Sequence, residues 1–252
     1  MQSQHGFMKC KLTLARTCTA VARLIPLVLL FSCQNSDKPD VMVGSSEADP
    51  EFIYFDYQVK GEETNDSVTV LLQFRQDYAN GRTLKLDPPS QVTLDGELLK
   101  ADSTKITGAF YEIQKQVDSF AGPHTILFTG VNKTQYKETF SFQPLQLLTS
   151  LPETLPAEDL WLELAGTEPG DLVRLVLTDT VFGSEGIDRL DTLADNRLLI
   201  SREDLAGLAP GPIQLFLVKE TNQPLKNGTY SGGNLFSTFE LRREFMLSKP
   251  ID

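Results

Sequence analysis

The stretch Val92-Thr93-Leu94-Asp95-Gly96-Glu97-Leu98-Leu99 decides the fold class. Apolar and polar residues alternate on both sides of an Asp-Gly pair, the pair that most readily supplies the two positive-φ positions of a two-residue hairpin turn. Upstream, residues 52–59 (Phe-Ile-Tyr-Phe-Asp-Tyr-Gln-Val) are aromatic and β-branched, and residues 67–74 follow a polar Gly-Glu-Glu-Thr-Asn-Asp turn. Downstream, residues 111–117, 125–129 and 136–142 are each bounded by Gly, Pro, Asn or Asp. Some seven short strands at this spacing, with no amphipathic helix between them, predict an antiparallel sandwich.

A second series of strands begins near Leu147 and continues through residues 160–164, 172–178, 197–200, 213–218 and 236–247. Its turns carry Glu168-Pro169-Gly170-Asp171, Asn227-Gly228 and Gly232-Gly233. Ser201 followed three residues later by Asp204 predicts a capped helical turn, because each side chain reaches a backbone N–H that the first turn leaves unpaired. The joint at residues 142–148 is short and apolar, which favours halves packed together over beads on a flexible string. The fold expectation is therefore all-β, with one sandwich over 51–145 and a second over 146–252. Trp161 alternates with Leu160 and Leu162 and so faces opposite to them; it is expected in the core.

Before residue 51 the composition changes. Residues 1–32 hold four basic residues (Lys9, Lys11, Arg16, Arg23) and no acidic one, then the apolar run 24–31. A cationic start, a short apolar stretch and small residues at its close make the layout of a secretory signal peptide. A membrane span needs about 20 apolar residues, far more than this run supplies. Met8 offers a second start, in which case residues 1–7 are not translated. The ending Leu30-Phe31-Ser32-Cys33 resembles the lipobox of bacterial lipoproteins, in which the cysteine is acylated and becomes the first mature residue. The resemblance implies lipidation of Cys33 and attachment of the protein to a membrane. Gln34 after the cysteine, where an Asp retains many such proteins in the inner membrane, points to the outer membrane; which face is open. Residues 33–50 are polar and lack apolar periodicity, the composition of a flexible, disordered tether, with a typical span of roughly 20–25 Å.

Cysteine and charge narrow the chemistry. Cys10 and Cys18 fall inside the leader, so the mature chain keeps Cys33 alone, with no internal disulfide and no thiolate metal site. Removing residues 1–32 leaves 19 basic against 34 acidic residues, a net charge of −15. Such a body repels nucleic acid, which is excluded as a partner. Of two histidines only His124 lies in the mature chain, set in a Gly-Pro-His-Thr turn. No Gly-x-Ser-x-Gly elbow and no Gly-rich phosphate loop occurs. Residues 185–191 carry acids without the spacing of a calcium loop and read as an acidic loop. No catalytic residue, cofactor or metal is assigned.

Lipobox, acidic tether and tandem immunoglobulin-like or fibronectin-like sandwiches together resemble Gram-negative envelope lipoproteins. Residues 120–128 resemble the turn into a late strand of such domains. The implied function is a non-enzymatic, lipid-anchored binding, adhesion or scaffolding module with a protein or glycan partner. A glycan-binding accessory is the alternative, and a carboxylate-dependent hydrolase stands third. Four Asp-Ser/Thr steps, at Ser67, Ser103, Thr180 and Thr192, resemble an O-glycosylation signal of some envelope proteins. Asp-Ser and Asp-Thr also belong at turns and strand edges for their own local bonding.

Overall fold

The computed structural model describes residues 42–248. Its first half runs Met42–Gly44 (β1), Ile53–Glu62 (β2), Ser67–Gln76 (β3), Thr83–Lys85 (β4), Gln91–Leu94 (β5), Glu97–Leu98 (β6), Ala101–Thr104 (β7) and Gly108–Gln116 (β8). The short helix Val117–Phe120 (α1) then leads to Gly122–Thr129 (β9) and Gln135–Phe142 (β10). The second half adds Gln146–Leu147 (β11), Thr154–Leu155 (β12), Leu160–Ala165 (β13), Leu172–Thr178 (β14), Ile187–Thr192 (β15) and Arg197–Ile200 (β16). Arg202–Ala206 (α2), Gly211–Pro224 (β17) and Gly233–Leu247 (β18) complete it.

The predicted hairpin forms between β5 and β6 with Asp95 and Gly96 at φ +50° and +84°. Such positive values are what Asp and Gly tolerate and β-branched residues do not. The predicted helical turn forms too. Ser201 Oγ accepts from Asp204 N at 3.1 Å, and the Asp204 carboxylate accepts from Ser201 N at 2.9 Å.

Strict two-residue alternation builds the core. Along β2, Ile53, Phe55, Tyr57 and Val59 are buried, and their register partners Phe74, Leu72 and Val70 on β3 are buried on the same face. Over that face lies the sheet β10-β9-β5-β6, whose Phe128 stacks 4.7 Å from Phe74 and 5.0 Å from Phe55. In the second half Leu162, Leu164, Leu198 and Ile200 of the sheet β11-β13-β16 join one core cluster with Val173, Leu175 and Leu177 of β14. Each half is thus a sandwich of a small sheet on a large one.

The large sheet is common to both halves. Its main path is β1-β4-β3-β2-β18-β17-β14-β15, with β7, β8 and β12 attached beside it. The seam is a parallel pairing of β18 with β2, from Gly233↔Phe55 to Glu240↔Glu62. Two further parallel pairings, β1 with β4 and β12 with β18, interrupt an otherwise antiparallel architecture. At the seam Gly61 is required by close approach. A Cβ there would lie 2.5 Å from the Phe239 ring and 2.7 Å from Phe142, whose rings meet edge to face at 6.0 Å.

Two expectations need correction. Residues 42–50 are not tether: β1 pairs with β4, Ser45 Oγ accepts from Asp87 N at 2.8 Å, and Ala48 is buried. Composition missed this because the segment borrows its order from the open edge of β4, not from an apolar periodicity of its own. Residues 187–192 form the edge strand β15, not a loop; Arg189 and its partners Asp191 and Asp204 hold it.

A shared sheet predicts that the halves unfold together. Trp161, in the second half, is the only tryptophan. Phe128→Ala, in the first half, should cost about 3–5 kcal/mol and lower the Trp161 fluorescence midpoint by roughly 10 °C. A tryptophan transition that stays in place would show that the halves unfold separately.

Candidate functional site

One face of β17 reads Ile213, Leu215, Leu217, Lys219, Thr221, Gln223 at every second residue. The first three are fully buried; from Lys219 onward the same face turns polar and opens to solvent. Register carries the change across the hairpin, with Lys219↔Phe239, Thr221↔Ser237 and Gln223↔Leu235. Here the two small sheets stop covering the large one, leaving a cleft of about 590 Å³. Edge strand β10 supplies one wall through Thr139, Phe140 and Ser141; the turn at residues 166–171 contributes Thr167, Glu168 and Asp171.

Lys219 fixes the cleft's geometry. Its ammonium donates to Gln143 O at 2.7 Å and Gly166 O at 2.5 Å, tying the joint between the halves to the sheet beneath. Burial pushes its pKa below the ordinary lysine value, while Asp171 and Glu168 pull it back up. On the other side, buried Glu138 accepts from Lys226 N at 2.9 Å and anchors the hairpin tip against β10.

The ends of β18 differ. At the Gly233 end the chain enters the fold: Met42 is level with Thr83, Thr83 with Arg75, and Arg75 with Tyr54. Three loops interlock there. Tyr230 N donates to Glu51 O at 3.0 Å, Asp77 N donates to Phe52 O at 2.8 Å, and Ser231 Oγ donates to Asp77 O at 2.5 Å. They hold Phe52 against Tyr230, ring centroids 5.7 Å apart, with Tyr230 80% exposed. Eleven residues along β18, at the level of Glu244, Gln214 and Thr178, the chain leaves β14 into residues 179–186. That is roughly 36 Å of strand.

This far loop is clamped by one carboxylate. Asp179 accepts from Val181 N at 2.9 Å, Ala209 N at 2.9 Å and Ser184 Oγ at 3.0 Å. The backbone bonds from Ala209 and Val181 hold its carboxyl below the usual range, against a smaller opposing effect of burial. The clamp leaves Val181 half in solvent and Phe182 wholly in it.

His124 is bonded as a structural residue. Nδ1 meets Asp95 Oδ2 at 2.7 Å, Nε2 meets Phe120 O at 2.6 Å, and the ring stacks 3.7 Å from Phe120. Both nitrogens are engaged, so neither is left to take a proton from a nucleophile. Trp161 is not in the core. Alternation holds, but Leu162 and Leu164 take the inner side; Trp161 is 48% exposed under the Arg197 guanidinium, 4.7 Å from the ring centroid. A charged side chain can cover an aromatic face this way at little cost. Cys33 lies outside the described residues. Ser103, Thr180 and Thr192 are exposed and Ser67 is half-buried, and they share no common site. No group of metal-ligating side chains occurs among the described residues. The far loop and the cleft were both missed in the sequence, although the polarity switch along β17 was there to be read.

No family model matches the chain and no curated protein matches it. Among solved structures, DIP-gamma IG1+IG2 is 10% identical over 79% of this chain and 96% of that one, with a TM-score of 0.21. A 1.5-MDa bacterial ice-binding adhesin involved in host cell surface retention is 13% identical over 80% and 66%, with a TM-score of 0.25. SGBP-B of a Bacteroides ovatus mixed-linkage glucan utilization locus, in complex with a heptasaccharide, is 11% identical over 72% and 53%, TM-score 0.24. At these scores the neighbours carry nothing about ligand or partner.

The Asp179 clamp has a pH signature. Its folded pKa lies below the ordinary carboxylate value, so its stabilisation is complete above about pH 4 and is lost as pH falls through the lowered value. Amide NMR shifts of Val181 and Ala209 should titrate together with a midpoint below that of an unperturbed Asp. Asp179→Asn should abolish the titration and raise loop mobility at neutral pH; unchanged shifts in the variant would remove Asp179 as the clamp.

Proposed function

We propose that this protein is lipid-anchored at the outer membrane through Cys33 and acts there as a non-enzymatic binding or adhesion module with a protein partner. The observation that carries the reading is the clamped loop holding Val181 and Phe182 in solvent, at the end of β18 remote from where the chain enters the fold. Aromatic side chains on preorganised loops are the groups that dominate protein interfaces, because little freedom is lost when they are buried.

The anchor suits that polarity. Eight residues separate Cys33 from Met42, and a chain of that length reaches at most about 30 Å. The Phe52–Tyr230 end therefore stays near the lipid and the Phe182 loop is turned outward. Acyl chains contribute about 0.8 kcal/mol per buried methylene, and more than one chain gives lasting attachment. The acidic body adds nothing on an anionic surface, so the lipid must supply the affinity.

Two substitutions separate the parts of this reading. Cys33→Ala should move the protein from the membrane to the soluble fraction; continued membrane retention would end the lipid-anchor reading. A photo-crosslinking side chain at Phe182 in the full chain should trap one discrete protein on intact cells. The same group at Ile106, equally exposed on a different hairpin, should not. Equal trapping at both positions, or none at Phe182, would reject the loop as the contact.

A further inference from the structure

We infer that the cleft between the two small sheets is a second binding site, one that takes a neutral oligosaccharide. It is separate from the Phe182 loop and requires neither the lipid nor a protein partner.

Its floor departs from the pattern of the sheet that makes it. After three buried aliphatic residues the β17 face continues as Lys219, Thr221 and Gln223, and Ser237 sits opposite Thr221 on β18. The side chains of Thr139, Ser141, Thr221, Gln223 and Ser237 make no hydrogen bond within the described residues. Hydroxyls and carboxamides both donate and accept, which is what a polyol requires, since each sugar hydroxyl does both as well. A site of this kind discriminates strongly for ligands that satisfy its polar groups, because an analogue without the hydroxyls leaves them unpaired.

Charge selects the uncharged members of that class. Lys219 and Lys226 stand against Glu168 and Asp171 around the cleft, with no excess of either sign. Nor is Lys219 open for an anion, since its ammonium already donates to Gln143 O and Gly166 O. An anionic sugar would meet two carboxylates and a cationic one two ammonium groups. The shape argues against a peptide strand. Addition to the β10 edge would need a continuous row of backbone groups, and Asn227 Nδ2 already donates to Lys137 O at 3.0 Å. Only Thr139 to Ser141 remain along the cleft, too short for a stable added strand. At about 590 Å³ the cleft is within the range of small-ligand sites, roughly 300–1,000 Å³, enough for a short oligosaccharide. The exposed Trp161 and the Phe52–Tyr230 pair are not among its lining residues, so recognition here rests on hydrogen bonds and not on ring stacking.

The test is calorimetric titration of the full chain, purified in detergent, with gluco-, manno-, galacto- and xylo-oligosaccharides of three to four units. Oligogalacturonate and chitosan oligomers serve as anionic and cationic counterparts. At least one neutral sugar should bind, and the double variant Thr221→Val, Ser237→Val should weaken it about tenfold or more. Both valines suit a strand, so the variant should keep its unfolding midpoint, and Phe182→Ser should bind the sugar normally. No neutral binding at millimolar concentration, binding that the double variant does not weaken, or a preference for a charged oligomer would each overturn the assignment. Sugar binding lost in Phe182→Ser but not in the double variant would move the site to the far loop.

Discussion

The parallel pairing of β18 with β2 is the constraint on which the rest of the molecule depends. Without it the chain would be two sandwiches joined at residues 143–145; with it, the last strand of the second half completes the first half's sheet. The pairing explains why β18 runs for 15 residues when its antiparallel partner β17 alone could have been matched by a shorter strand at the core. It also explains Gly61. Two sheets and a third strand converge there, and only a residue without a side chain leaves room for Phe142 and Phe239 to meet. Fusion has a structural by-product. Two separate covers on one continuous sheet leave a strip of that sheet uncovered between them, and the polar residues of β17 occupy that strip.

Much of the fold was legible because it is written locally. Alternation placed β14 and β16 at their observed limits, and the Asp95-Gly96 and Ser201–Asp204 signals each led to the turn and cap they describe. What was not legible depends on distant partners. β1, β4, β11 and β12 are two or three residues long and have no periodicity to detect; they are strands because an edge is there to receive them. Sharing of the sheet could not be seen either, since nothing in residues 53–62 announces pairing with residues 233–240. Trp161 shows a different limit. Period-2 alternation states which residues share a face but not which face is inside, and in Leu160-Trp161-Leu162 the two leucines outvote the larger ring.

The candidate sites were legible only in part. His124 could be weighed from its turn context, and the bonds to Asp95 and Phe120 O are of the kind a strand-initiating histidine makes. The Phe182 loop could not be found, because Thr180-Val181-Phe182 reads as the continuation of a strand until Asp179 is seen to hold Val181, Ser184 and Ala209 together. The cleft lay in between. The β17 pattern marks where burial ends, yet only the register of β18 and the position of β10 turn a polar strand end into an enclosed site.

The orientation of β18 bears on how the molecule would carry load. A pull applied where the chain enters, beside β2, and resisted at the loop beyond Thr178 runs lengthwise along β2, β18, β17 and β14. Ladder hydrogen bonds lying across such a pull are sheared as a set, so the fourteen register pairs from Gly211↔Leu247 to Pro224↔Asn234 share the strain instead of opening one at a time. The same seam that makes the halves one folding unit also makes them one mechanical element.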